Sequence, residues 1–336
     1  MRVSRGRSLI ALLAIAGSVQ AQDIHFSQFF LTPLANGPGQ IGAFDGDYRI
    51  NALYRQQWRS VTRPYRTFSI GADAADFLRK QGLGAAIWLF NDRAGDPRLN
   101  TFHLDLGASY TRAFDRGRQK VTAGLQFGLT SITLDESELA FDAQYNGYYY
   151  DPSLATGEDF QRDGLVHPDL HAGMHYAYRP AERQVIEVGL AFFNLTRPGI
   201  GFLGSPAEPL DLRTAFQVMA GFPVAEKLDV LPSLRYMVQG PFHEFDLGAT
   251  VRYILLHRYT VLRAVRLGAL FRAGDAGTVH AGLEYDDWTA GISYDINFSD
   301  LVPASRNRGG LEFTVVRILR RKAPVPARFK ACPEQL

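Results

Sequence analysis

Asp287–Phe298 reads DWTAGISYDINF. Its even positions, Trp288, Ala290, Ile292, Tyr294, Ile296 and Phe298, are apolar; its odd positions, Asp287, Thr289, Gly291, Ser293, Asp295 and Asn297, are polar or glycine. Side chains alternate across an extended strand, so the segment has one greasy face and one polar face. A half-buried strand of a soluble protein also alternates, usually over a shorter run. Roughly 9–11 residues is what a tilted strand needs to cross a bilayer core, and aromatics at both ends suit the two interfacial girdles. The stretch therefore reads as one stave of an all-β, transmembrane antiparallel outer-membrane β-barrel.

The pattern recurs along the chain. Asp47–Trp58 sets Tyr48, Ile50, Ala52 and Tyr54 against Asp47, Arg49, Asn51 and Arg55. Thr101–Thr111, Val121–Leu129, Phe245–Tyr253 and Val279–Tyr285 alternate as cleanly. Weaker staves are Arg66–Asp76, Gly82–Asn91, Pro168–Tyr178, Val185–Asn194, Leu210–Phe222, Leu228–Gln239, Leu262–Phe271 and Leu311–Ile318. The expected count is about 14, an even number that suits a single-chain barrel. Such barrels have short periplasmic turns and longer extracellular loops. Leu78–Gln81, Asp115–Lys120, Pro180–Arg183, Pro223–Lys227 and Asp286-Asp287 read as short links. Asn91–Leu99, Leu134–His167, Thr196–Pro209 and Ser299–Gly309 read as the longer ones. The brief link Gln239–His243 breaks the alternation. This polarity puts both chain ends in the periplasm.

The flanks divide the chain into residues 1–21, 22–46, 47–319 and 320–336. Arg2, Arg5 and Arg7, the apolar run Leu9–Ala16 and Val19-Gln20-Ala21 read as a cleaved signal peptide over 1–21. Residues 22–46 have no period of two and carry Pro33, Asn36, Gly37, Pro38 and Gly39, which punctuate irregular backbone. The segment is nonetheless rich in Phe and Leu, so it is expected to be ordered, in the lumen or at the periplasmic mouth. Residues 47–319 are the barrel and 320–336 a periplasmic tail with the single cysteine, Cys332, which allows no internal disulfide. The net charge of +2 over 336 residues gives no signal for nucleic acid.

The polar faces hold no assigned chemistry. His167, Asp169, His171 and His175 share one strand face, and they could approach one metal only if other strands contributed. They read as lumen lining, and no metal or cofactor is assigned. Asp295 and Glu284, on polar faces of neighbouring staves, superficially resemble an acid/base pair. Arg49, Arg55, Arg235, Arg252 and Arg272 are the expected partners of such carboxylates, and a lumen filled by these pairs is a plug. Neither a Gly-x-Ser-x-Gly elbow nor a His-Glu-x-x-His helix occurs, so catalytic residues are not assigned. Tyr145-Asn146-Gly147-Tyr148-Tyr149-Tyr150, in the longest loop, reads as a contact surface.

Two stretches resemble the PorP/SprF family of type IX secretion system outer-membrane proteins. In the first, Phe26, Ser27, Gln28, Pro33, Asn36, Tyr54, Arg55, Gln57 and Trp58 match the family's opening pattern. In the second, Ser293, Tyr294, Asp295, Asn297, Leu301, Pro303, Ala304, Ser305, Gly309, Gly310 and Glu312 match its close. Gly37-Pro38-Gly39 departs from the usual Asn-Pro-Ala run. The resemblance implies a barrel without enzymatic activity. It also implies partnership with type IX translocon and motor components, and with exported surface proteins bearing a C-terminal sorting domain, gliding adhesins among them. On that reading the long loops, led by Leu134–His167, hold the cargo, while the N-terminal segment and tail meet the machinery; the alternative is an outer-membrane porin or hydrophobic-substrate channel, which an open lumen would favour.

Overall fold

A computed structural model describes residues 24–57, 64–95, 99–135, 139–158, 160–202, 208–258, 261–299 and 307–320. The expected signal peptide, Trp58, Leu301, Pro303, Ala304, Ser305 and the tail with Cys332 lie outside the described residues.

The strands are β1 Tyr48–Gln57, β2 Tyr65–Ala74, β3 Leu83–Ala94, β4 Leu99–Phe114, β5 Gln119–Thr133, β6 Gly164–Tyr178 and β7 Val185–Phe193. After a two-residue ribbon, β8 Gly199–Ile200 and β9 Glu208–Pro209, come β10 Arg213–Ala225, β11 Leu228–Gln239, β12 Phe242–Arg258, β13 Val261–Arg272, β14 Ala276–Tyr285, β15 Trp288–Asn297 and β16 Arg308–Leu319. All but the ribbon form one closed antiparallel barrel of 14 strands. β1 completes it against β16, with Tyr48 opposite Leu319 and Gln56 opposite Leu311. Closure leaves no unpaired strand edge, the condition a sheet must meet in lipid.

β15 confirms the alternation of the opening stretch. Trp288, Ile292, Tyr294 and Ile296 are exposed on the outer face, while Ser293, Asp295 and Asn297 are buried. β1 behaves alike, with Tyr48, Ile50 and Tyr54 out and Arg49, Asn51 and Arg55 in. Several strands outrun their apolar stretch. β6 starts at Gly164, inside the expected loop, because Gly164–His167 still pair with Thr130–Thr133 of β5. That end lies toward the long-loop rim, where pairing continues with no requirement for an apolar outer face.

The short links gather at the rim where β1 begins, for example 226–227 and 286–287, and the long ones at the other rim. The exceptions on the long-loop rim are the tight turns 240–241 and 273–275 and the four-residue link 95–98, expected from sequence as a longer one and shortened because β3 runs on to Ala94 and pairs there with Leu99. By the polarity common to such barrels, the long-loop rim is extracellular.

Ile24–Phe44 occupies the lumen. It is built from a 3-10 turn at Phe29–Leu31, one helical turn at Pro33–Asn36 and a 3-10 turn at Pro38–Gln40. Phe29, Leu34 and Ile41 are fully buried there. Of the two locations expected for this segment, the lumen is the one it takes. It climbs from the short-turn rim at Phe44 toward the long-loop half at Ile24, whose carbonyl accepts from Arg213 at the start of β10.

Candidate functional site

The upper lumen is organised by charge. Asp295 on β15 accepts from Ser27 Oγ at 2.9 Å, Arg55 Nη2 at 3.0 Å and Thr278 Oγ1 at 2.8 Å. Glu312 on β16 accepts the backbone N–H of Ser27 at 3.0 Å and of Gln28 at 2.7 Å. Arg55 also donates to the His25 carbonyl and approaches Glu312 at 3.8 Å. Across the lumen, Arg235 donates to Glu244, Asp246 and the Phe26 carbonyl, and stands 4.6 Å over the Phe29 ring. Arg272 links Asp246 to Ser27 Oγ. A buried ion is tolerable only when its remaining donors and acceptors are satisfied. Here the backbone and side chains of Ser27 and Gln28 complete the wall's ion network, so segment and wall each satisfy the other.

The same segment is fixed lower down by contact. Arg49 donates to Asp73 and to the Gln40 carbonyl, Gly42 N–H donates to Asp73, and Ser109 Oγ donates to the Ile41 carbonyl. Phe26, Leu34 and Ile41 form an apolar cluster with Leu53 and Trp88 of the wall. Pro38 and Gly39 lie against glycines of the sheet. A Cβ on Gly124 would sit 2.2 Å from Pro38 O, and one on Gly39 2.5 Å from the Met174 carbonyl carbon. Only glycine admits so close a backbone approach.

The two stretches that resemble the family's ends thus meet in space. Ser27, Gln28, Arg55, Asp295 and Glu312 form one bonded set. Asn36 Nδ2 donates to the Phe29 carbonyl at 2.6 Å, and Pro33 opens the helical turn. Asn297 lies buried beside Gly309, whose added Cβ would meet Asn297 Oδ1 at 2.7 Å; one on Gly310 would meet Gln57 Cγ at 2.9 Å. Tyr54 and Tyr294 do not join the set, because both point outward. A family profile for the type IX secretion system membrane protein PorP/SprF matches residues 18–316.

The chain belongs to the PorP/SprF family.

A search of curated proteins finds no match. Among solved structures, the chain is similar to the Ralstonia pickettii toluene transporter TbuX, with TM-score 0.47 and 11% identity over 86% of this chain and 94% of that one. It is also similar to the CymD monoaromatic hydrocarbon channel, with TM-score 0.47 and 9% identity over 87% and 93%. A third is a Pseudomonas aeruginosa FadL homologue, with TM-score 0.43 and 11% identity over 84% and 93%.

In this PorP/SprF barrel every arginine expected in the lumen is paired. Arg252 bonds Asp229 and lies 3.7 Å from Glu284, which also meets Arg266. Asp295 and Glu284 therefore answer to different arginines and form no acid/base couple. Sequence reasoning put Asp246 on the polar face of Phe245–Tyr253 without assigning it a partner and missed Glu244, at the polar start of β12; their spacing of two beside Phe245 was the available signal.

His167, Asp169, His171 and His175 all face the lumen and are buried. The strand register adds what one strand lacks. Asp105 of β4, Gly128 of β5 and Asp169 of β6 share a row, and His103, Thr130 and His167 share the next. His175 lies further down β6, outside this group.

At the long-loop rim, the described residues between Leu134 and Asp163 form a folded lobe. The Leu134 N–H donates to the Asp163 carbonyl, Gln144 Nε2 to the Leu154 carbonyl and the Gln161 N–H to the Phe202 carbonyl. Tyr145 bridges Tyr150, while Asn146 Oδ1 accepts the N–H groups of Tyr148 and Tyr149. Tyr148 is 90% exposed and Tyr149 62%. At the opposite rim, Asp45 holds Lys120 at 3.2 Å and Arg179 at 3.6 Å. Partial desolvation at the rim pushes the Asp45 carboxyl up, but Arg179 and Lys120 outweigh it and hold the group below the usual carboxylate range.

Proposed function

We propose that this outer-membrane protein works in type IX secretion as a non-enzymatic binding component, engaging exported surface proteins, adhesin-type cargo with C-terminal sorting domains, at its long-loop rim. Translocon and motor components meet the short-turn rim and the tail. The observation that carries the reading is the occupied lumen. Ile24–Phe44 is bonded to the wall through Arg55, Arg235, Asp295 and Glu312. A barrel filled in this way offers its rims, rather than a passage, as working surfaces. Folded loops bearing tyrosines supply large contact area at low entropic cost. The N-terminal segment, expected from sequence to meet the machinery, is committed to the lumen; its contribution to partners is to brace the wall beneath the loops. The signal peptide and the residues of the two matching stretches fit this role as export and bracing elements.

The test is a mild-detergent pull-down of the tagged protein from outer membranes, with mass spectrometry of what accompanies it. Recovery of type IX components or a large exported protein with a sorting domain, lost in Y148A/Y149A for the cargo, supports the reading. A clean monomer that conducts ions in planar bilayers overturns it in favour of a channel.

A further inference from the structure

The fully buried lumen carboxylates divide into two kinds. Asp73, Asp229, Glu244, Asp246, Glu284, Asp295 and Glu312 each lie within 4.0 Å of an arginine. Asp105 and Asp169 instead have histidines as their ion-pair partners: His103 and His171 for Asp105, His167 and His103 for Asp169. Both carboxylates are 2% exposed. Asp105 Oδ1 accepts no hydrogen bond, whereas Asp169 Oδ1 faces His167 Nδ1 at 3.2 Å. A buried carboxylate flanked by imidazoles, with one oxygen accepting no hydrogen bond, is suited to holding a cation.

The geometry points to a divalent transition-metal site in the barrel wall, a zinc-type centre ligated by His103 Nε2, the Asp105 carboxylate and His171 Nε2. Donor atoms of these three residues all lie within 4.8 Å of one another. His103 Nε2 is 3.0 Å from Asp105 Oδ2, and His171 Nε2 is 3.6 Å from Asp105 Oδ1. Tetrahedral ligands at ordinary zinc–nitrogen and zinc–oxygen lengths stand about 3.3 Å apart, between those values. Imidazole and carboxylate donors without a thiolate suit zinc and its first-row neighbours rather than magnesium or calcium.

The protonation pattern favours an ion at His103. Thr130 Oγ1 donates to Asp169 and lies 2.7 Å from His103 Nδ1. With the hydroxyl hydrogen given to Asp169, His103 Nδ1–H donates to Thr130. His103 Nε2 then faces the Asp105 carboxylate at 3.0 Å, where a cation can be held by both. This Asp169–Thr130–His103 chain is the outer-shell support that metal-bound imidazoles use. The ring is further fixed by stacking on Phe90 at 5.0 Å and by the edge of Trp88. Space comes from Gly128, where a Cβ would meet Asp105 Oδ1 at 2.5 Å. One row away Gln126 is 1% exposed, and both of its side-chain polar atoms lack partners.

His171 makes the site conditional. Its Nδ1 accepts the Asn194 N–H at 3.1 Å, so the proton rests on Nε2. Ligation through Nε2 shifts that proton to Nδ1, which turns the acceptor into a donor and opens the Asn194 contact. Asn194 begins the 194–212 connection at the long-loop rim, so metal loading is coupled to that loop.

The experiment uses the full chain, folded in detergent and stripped with a chelator. Zinc binding is measured by competition with a chromophoric chelator, and cobalt supplies the visible spectrum of a nitrogen/oxygen site. One equivalent is expected in the wild type and in H175Q. Affinity should fall at least roughly tenfold in H103Q and D105N, and also in G128A, which removes no donor but displaces Asp105. Zinc should also speed exchange of the Asn194 amide. The compact band on an unheated gel reports that each variant is folded. Absence of saturable zinc binding in the wild type, or binding indifferent to H103Q and D105N, overturns the assignment and leaves an imidazolium–carboxylate cluster.

Discussion

Replacing Glu312 with alanine should loosen the lumenal segment without opening the barrel. Glu312 accepts two backbone N–H groups of that segment, from Ser27 and Gln28, and supports Arg55 at 3.8 Å. Alanine leaves both N–H groups buried without an acceptor. Each such loss costs about 1–3 kcal/mol, so the pair costs about 2–6 kcal/mol. Water entering the vacated volume moves the result toward the lower end. At about 1.4 kcal/mol per decade, local opening becomes roughly 30-fold to 20,000-fold more frequent. Hydrogen exchange reads this directly, at the Ser27 and Gln28 amides and at Leu31, whose N–H bonds the Gln28 carbonyl. The control is E284A, which removes a partner of Arg252 and Arg266 and no contact with the segment. Protection of Ser27, Gln28 and Leu31 that stays within about threefold of the wild type would refute the idea that Glu312 secures the segment.

In G124A, the added methyl meets the backbone carbonyl oxygen of Pro38 at 2.2 Å; overpacking of this kind costs about 1–3 kcal/mol, and exchange at Gln40 and Ile41 should accelerate. W88A removes the wall's largest contribution to the apolar cluster and the donor to Ser69 Oγ; a loss of about 3–5 kcal/mol is expected, read as protease sensitivity of 24–44 at a lower temperature. Asp45 has a folded pKa below its unfolded one, so its stabilisation is present above the ordinary carboxylate range and fades as pH falls through that range. The Asp47 amide, bonded to the Leu319 carbonyl, should lose protection over that window in the wild type and show no such pH dependence in D45N; Asp45 is mostly exposed, so the effect is small.

The alternation in Asp287–Phe298 determined the fold because a strand's period of two is a local property of the backbone. It placed all 14 barrel strands and the sense of most connections, and it put Arg49, Arg55, Arg235, Arg252 and Arg272 in the lumen. The strand ends were less legible, since β6 continues past the bilayer where nothing requires an apolar outer face. The loose grammar of 22–46 declared an ordered segment and left its place open between lumen and mouth. Only closure of the barrel decided that. Ser27 and Asp295 lie at opposite ends of the chain, and no local pattern encodes the bond between them. The His103–Asp105–His171 group was hidden for the same reason. His167, Asp169, His171 and His175 advertised a shared face on one strand, but the partners that matter come from β4, two strands away across Gly128. Local periodicity tells which way a side chain points. The register of neighbouring strands, settled by the whole sheet at once, tells what it meets there.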